Sequence, residues 1–482
     1  MAVPMRGRGA RAPAAGRTFR VKRNPLTTTL FVLTVVSVSQ AHQYYPFLAV
    51  FRPAMTLSLF ALCYAFLKPS LLSGARWFMT WPARVVIGLA IMACLSVVFG
   101  ISVGGAGSFV LFDYSKTLIF AFLLMATIRD SKELYLYTWA YVVATAFLVL
   151  LSLFVFGMTK AGPDGIARIS GGFKYDANDL CVVVLVGLAL TLLTYQTSRK
   201  TGKWFSLLVL VGIGMTIAKS GSRGGFLGLI AEGLALMVCL YRVPLAKRVT
   251  FLVVTAVALA IAAPQGYWNQ MGTIFSPKKD YNWDSYSGRR QLAKRGVGYM
   301  LMYPVFGIGV NNFPRAEGML SERAKNLRPT DAGIKWSAPH NSYLEAAAEM
   351  GIPGGLLWLI LVPGGVVAMY RLSRRLPRSW LHGDAEERFL YLAGMYLPVA
   401  MTGFAVSSFF VSFTYIDPVY ILAALMAGMY ISVDRKLKSS TARVPARAPI
   451  DPPSARLGPG PEATSLELPR PSSNSPGMVG PG

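Results

Sequence analysis

The sequence predicts an all-α polytopic membrane protein with about twelve transmembrane helices. Three observations predict it. Only 15% of the 482 residues are charged and 54% are hydrophobic, whereas a soluble domain carries about 25% charged residues. Apolar runs of about 18 or more residues, each long enough to cross a bilayer, recur from Leu26 to Val433. Lys and Arg gather in alternate connections, as the positive-inside rule requires. The net charge of +26 is then mostly topological. It is not the footprint of a nucleic-acid partner, as it would be in a soluble domain.

Taken in order, the apolar runs place spans at 26–41, 46–67, 84–102, 109–128, 134–157, 177–195, 204–219, 223–241, 248–264, 341–369, 389–411 and 414–433. The N-tail carries seven cations from Arg6 to Arg23. Every even connection is also basic: Lys68, Arg76 and Arg84; Arg129 and Lys132; Arg199, Lys200 and Lys203; Arg242, Lys247 and Arg248; Arg371 to Arg388. Both termini are therefore expected in the cytoplasm. The basic start followed by Ser39-Gln40-Ala41 resembles a cleavable signal peptide, but an uncleaved first span is preferred, because the next span needs an orienting partner. The expected organisation is a basic N-tail (1–25), helices 1–9 (26–264), an outer loop (265–340), helices 10–12 (341–433) and a disordered tail rich in Pro, Ser and Gly (434–482).

Cys63, Cys94, Cys181 and Cys239 all fall inside apolar spans without metal-ligand spacing. They are expected to pack as small apolar residues, with no disulfide and no metal site. No Walker A sequence and no outer Asp-x-Asp pair is present, and no cofactor is expected.

A second basic set breaks the orientation rule by lying on the outer side. In Ser220-Gly-Ser222-Arg223-Gly224-Gly, the turn opens the eighth span, so a helix N-terminus points outward with unpaired N–H groups. Ser222 and Gly224 let a ligand approach the backbone, and Arg223 brings a fork of donors suited to phosphate. The same residues also fit a tight turn with an interfacial arginine reaching water. Arg289, Arg290, Lys294 and Arg295 open an amphipathic helix with Val297, Met300 and Leu301 as its apolar face, placed to lie along the membrane surface. Its cations equally fit simple headgroup binding. His340 sits where the outer loop re-enters the membrane, and histidine suits proton transfer near neutral pH. Asn341 and Glu345 share its helix face, and Glu349 carries that face into the bilayer, where carboxylates are costly and functional by default. Arg168, Lys174, Asp176 and Asp179 are lesser candidates.

Four pieces of sequence together resemble the O-antigen ligase and polymerase superfamily. They are RISGGFKYDAND at 168–179, SGSRGG at 220–225, SGR at 287–289 followed fifteen residues later by PVFGIG from Pro304, and HNSYLE at 340–345. The resemblance covers about residues 160–430. It implies transfer of a glycan from undecaprenyl diphosphate to an acceptor hydroxyl, either lipid A-core or the end of a growing glycan, at the periplasmic face of the bacterial inner membrane. By motif, Arg223 and Arg289 would hold the diphosphate and His340 would serve catalysis. Arg290, Ser222, Gly224, Asn341, Arg168 and Glu345 are the expected substrate-binding residues. Ala338-Pro339 stands where many relatives carry a second histidine. Arginines at a helix N-terminus can stabilise a departing diphosphate, and neutral His340 can take the acceptor's proton. Direct displacement with inversion, without metal, follows from that reading. The partners expected are the lipid-linked glycan donor, the glycan or lipid A-core acceptor and membrane lipids, with no nucleic acid. A flippase for lipid-linked sugars is the competing class; a transporter should gather its polar groups at the midplane between related halves, and no such repeat is present.

Overall fold

The computed structural model describes residues 24–72, 76–160, 167–170, 172, 175–276, 285–286, 288–326 and 336–441. The N-tail, most of the C-terminal tail, Lys174 and Ser287 lie outside the described residues. Each of the twelve expected spans is helical. Nine helices among the described residues are long and apolar enough to cross a membrane. Pro25–Ser39, Arg223–Cys239 and Leu245–Ala262 are helices of 15, 17 and 18 residues. Among the described residues, strand is confined to an antiparallel pair of Gly157–Lys160 with Ala167–Ser170, which the apolar pattern did not suggest.

Helix starts differ systematically from the onset of apolar sequence. Helices begin at Ser131 and Ala385 rather than at 134 and 389, because Asp130 and Asp384 cap them in reciprocal boxes with Glu133 and Glu387. Capped polar turns are helical although they are not apolar.

The innermost helices are Ala177–Thr197, Ala385–Ser407 and the one starting at Asp417, whose apolar stretches are more than four-fifths buried. Ala385–Ser407 packs on Ala177–Thr197, Arg223–Cys239 and Pro363–Arg375. The outer helices present large apolar side chains such as Leu208, Val211, Leu234 and Val254 outward. In water such a surface would be a liability; in a bilayer it is solvated by lipid. Cys63 and Cys94 lie on this outer surface rather than in the core, while Cys181 and Cys239 are buried as expected.

The helix Ser342–Leu361 is broken at Gly351 (φ 73°), two residues before Pro353. Proline has no N–H, so the carbonyl of Glu349 loses its helical donor. The Pro304–Gly309 segment replaces it: Gly309 N donates to Glu349 O (3.0 Å), Ile308 N to Ala348 O (2.9 Å), and Ile352 N donates back to Pro304 O (2.8 Å). The Glu349 carboxylate then accepts from Asn311 N (2.6 Å), Phe313 N (3.0 Å) and Tyr415 Oη (2.7 Å). The broken helix and the loop thereby satisfy each other's backbone groups at these positions. Glu349 is thus occupied in holding the loop.

The Arg289–Met302 helix packs on Ser342–Leu361. Its buried face is Leu292, Gly296 and Tyr299, not the expected stripe, of which Val297 and Leu301 are exposed. Gly296 decides this face: a Cβ there would stand 2.6 Å from Leu344. Arg295 is not a headgroup cation either. It forms a forked pair with buried Glu317 (2.8 and 2.7 Å), which also accepts from Tyr299 Oη (2.8 Å).

Candidate active site

The SGSRGG turn is built to be rigid. Helix Lys200–Ser220 stops at Gly221, which adopts the left-handed conformation that glycine tolerates best (φ 56°). Ser222 caps the next helix. Its Oγ accepts from Gly225 N (3.0 Å) and donates to Asn178 Oδ1 (2.8 Å). Asn178 Oδ1 also accepts from Arg168 Nη2 (3.0 Å), and Arg168 Nε donates to the Ser220 carbonyl (2.9 Å). From the other side Gln270 Nε2 donates to the Gly221 carbonyl (2.8 Å). A Cβ on Gly224 would stand 2.8 Å from Phe410 Cβ, so this glycine serves close packing. Arg223, the first residue of the helix, is oriented by Nη1 donating to Thr273 Oγ1 (3.0 Å).

Phe410 links the turn to the second motif. The Arg289 guanidinium lies 5.8 Å from its ring centroid, within cation–π range. Arg289 is half-buried beside this ring, whereas Arg290 is exposed. Ser412, two residues on, accepts from His340 N (3.1 Å). His340 has φ 48°, a conformation uncommon outside glycine and one that concentrates at functional sites. Asn341 caps the following helix, its Oδ1 accepting from Tyr343 N (3.0 Å) and Leu344 N (3.1 Å). Ser342 Oγ donates to Val411 O (2.8 Å) and accepts from Phe413 N (2.9 Å). Buried Glu345 accepts from Thr414 N (3.0 Å).

These contacts bring Arg223, Arg289 and His340 to one end of the bundle, where the helices beginning at Ala177, Arg223, Arg289 and Ser342 all start. Each N-terminus adds partial positive charge. The His340 pKa is lowered from its usual value, first by the surrounding protein and then by the Arg289 cation, while Asp176 opposes the shift. The arrangement favours an anion beside a neutral imidazole.

Among the expected substrate-binding residues, Ser222, Gly224, Asn341 and Glu345 are engaged in the scaffold, and Arg168 directs one donor at the Ser220 carbonyl of the turn and another at Asn178. The sequence reading missed Phe410, Ser412 and Asn178. The only signal for the first two was an aromatic, Ser-rich connection, SSFFVSF at 407–413, between two apolar spans.

The O-antigen ligase family model matches residues 207–359. That segment is similar to O-antigen ligases. Arg223, Arg289, Arg290 and His340 fall inside it. Arg168, Asn178, Phe410 and Ser412 fall outside it, so the candidate site draws on segments from both flanks of the matched region. No curated protein matches the chain.

Proposed function

We propose that the protein is a membrane glycan transferase of the O-antigen ligase type. It moves a glycan from undecaprenyl diphosphate to an acceptor hydroxyl, on lipid A-core or a growing glycan, at the periplasmic face of the inner membrane. The gathering of Arg223, Arg289 and His340 around Phe410 and Ser412 carries this reading. Three short motifs separated by a long outer segment become one cationic, helix-capped cluster with a base at its edge.

In the proposed step the acceptor oxygen attacks the anomeric carbon. The carbon–oxygen bond to diphosphate breaks, and undecaprenyl diphosphate leaves with the bonding electron pair. The acceptor proton passes to the neutral His340 imidazole. Arg223 and Arg289 stabilise the negative charge that develops on the leaving group. Attack opposite the leaving group inverts the anomeric centre. Arg168, Asn178 and Ser222 keep Arg223 aimed.

Purified protein supplied with undecaprenyl-diphosphate glycan and separate acceptors tests the proposal. Release of undecaprenyl diphosphate coupled to an acceptor of inverted configuration is the expected product, and the acceptor used defines ligation or polymerisation. A product that retains the donor's configuration rules out the single displacement.

The lowered His340 pKa sets a pH dependence. Neutral imidazole is the active form, so transfer should rise with pH through a value below the ordinary histidine pKa of about 6.5 and be flat at neutral pH. Removing the cation with Arg289→Gln relieves repulsion of the imidazolium, so the residual rate should rise at higher pH than in wild type. Rate profiles of the two proteins check the sign; a limb moving to lower pH would contradict the arrangement.

A further inference from the structure

A second candidate site lies at the opposite end of the bundle. The helix Trp81–Phe99 ends where Gly100 and Ile101 meet Ile308 and Gly309, in the loop docked on the broken helix. Its other end is roughly 28 Å away at 1.5 Å per residue, close to the thickness of a bilayer's hydrocarbon core. There Arg84, Arg371 and Arg375 line a groove of about 540 Å³.

Four cations at this end have carboxylate partners. Arg129 meets Glu133 (3.8 Å), Lys132 meets Glu386 (3.6 Å), Arg435 meets Asp130 (3.8 Å) and Lys436 meets Asp384 (2.7 Å). Among the described residues Arg84, Arg371 and Arg375 have no ion pair, and no carboxylate lines the groove. Arg371 and Arg375 stand four residues apart on one helix, a like-charge spacing that destabilises unless an anion intervenes. Arg84 brings a third charge from another helix.

The wall of the groove is not that of a simple ion site. Val85, Ile360 and Leu372 make it apolar, and Trp81 and Tyr430 stand beside the arginines. Aromatic residues of this kind mark the headgroup level of a membrane. A ligand that satisfies all of this has an anionic head for guanidinium forks and hydrocarbon for the wall.

We infer that this groove holds an anionic diacyl phospholipid, with its phosphate on Arg84, Arg371 and Arg375 and an acyl chain against Val85, Ile360 and Leu372. The site is independent of the proposed transfer chemistry, and the lipid belongs to the leaflet opposite the Arg223 cluster.

The full-length protein, delipidated in detergent and titrated with phosphatidylglycerol or phosphatidylcholine, tests this by native mass spectrometry. Selective retention of phosphatidylglycerol is expected. Each arginine changed to glutamine should weaken it roughly five-fold, since a surface cation contributes about 1 kcal/mol toward an anionic lipid. Ala368→Trp, which fills the groove without removing charge, should also lose the lipid. Lys203→Gln, a cation outside the groove, should retain it. Equal retention of the two lipids overturns the inference, as does unchanged phosphatidylglycerol binding in monodisperse Arg84→Gln/Arg371→Gln/Arg375→Gln protein. Full displacement by inorganic phosphate, with Ala368→Trp still binding, overturns it in favour of a plain anion site.

Discussion

Arg223→Ala is expected to lower glycan transfer by about 10²–10³-fold, the usual loss when one preorganised donor to a developing negative charge is removed. Arg223 opens a helix whose N-terminus is aimed by Ser222, Asn178 and Arg168, and its guanidinium is set by Thr273 Oγ1 at 3.0 Å. The effect should fall on the rate constant of transfer more than on donor affinity, because charge on the leaving oxygen is greatest in the transition state. Arg223→Lys should recover only part of the activity, since an ammonium keeps the charge but loses the planar fork. Initial rates of undecaprenyl diphosphate release, measured at saturating donor for wild type and both variants, check this. Wild-type rates in Arg223→Ala would remove the arginine from the chemistry and leave the turn a structural feature.

Gly351→Ala is expected to destabilise the protein by about 4 kcal/mol. Its left-handed backbone costs a side-chain-bearing residue about 1–3 kcal/mol. The added Cβ would also stand 2.4 Å from the Val305 carbonyl oxygen and 2.8 Å from that of Pro304, and overpacking costs about 1–3 kcal/mol more. The neighbours cannot withdraw, because Pro304 O accepts from Ile352 N and the adjoining strand of loop bonds to Ala348 and Glu349. Gly104→Ala is the control, because nothing lies within 4 Å of a Cβ there. Thermal unfolding of the detergent-solubilised variants should separate them clearly. Equal midpoints would mean that the loop is not held in the broken helix.

The sequence alone determined the membrane class, the helical segments and the residues worth testing. Those signals are local. An apolar run long enough to span hydrocarbon must satisfy its backbone internally and so becomes a helix. A cation on the wrong side of the orientation rule is conspicuous wherever it folds. Arg223 and Arg289 were visible for that reason, and His340 for its place where the loop meets a span, before any of them had a neighbour.

Tertiary structure decided what those residues touch. The His340 backbone meets Ser412 across 72 positions, and Arg168 meets the Ser220 carbonyl across 52. Arg295 and Arg289, six residues apart, open the same basic helix, and only the motif resemblance set Arg289 apart. Packing buried one against Glu317 and laid the other over Phe410. Glu349 read as a costly intramembrane acid; Pro353, by removing a helical donor, created the loop docking that the acid now holds. Helix formation depends on residues three and four apart, but neighbourhood between helices is chosen by which small residues allow close approach, as Gly224 does beneath Phe410 and Gly296 against Leu344. That choice is made by the whole bundle at once, and no single segment encodes it.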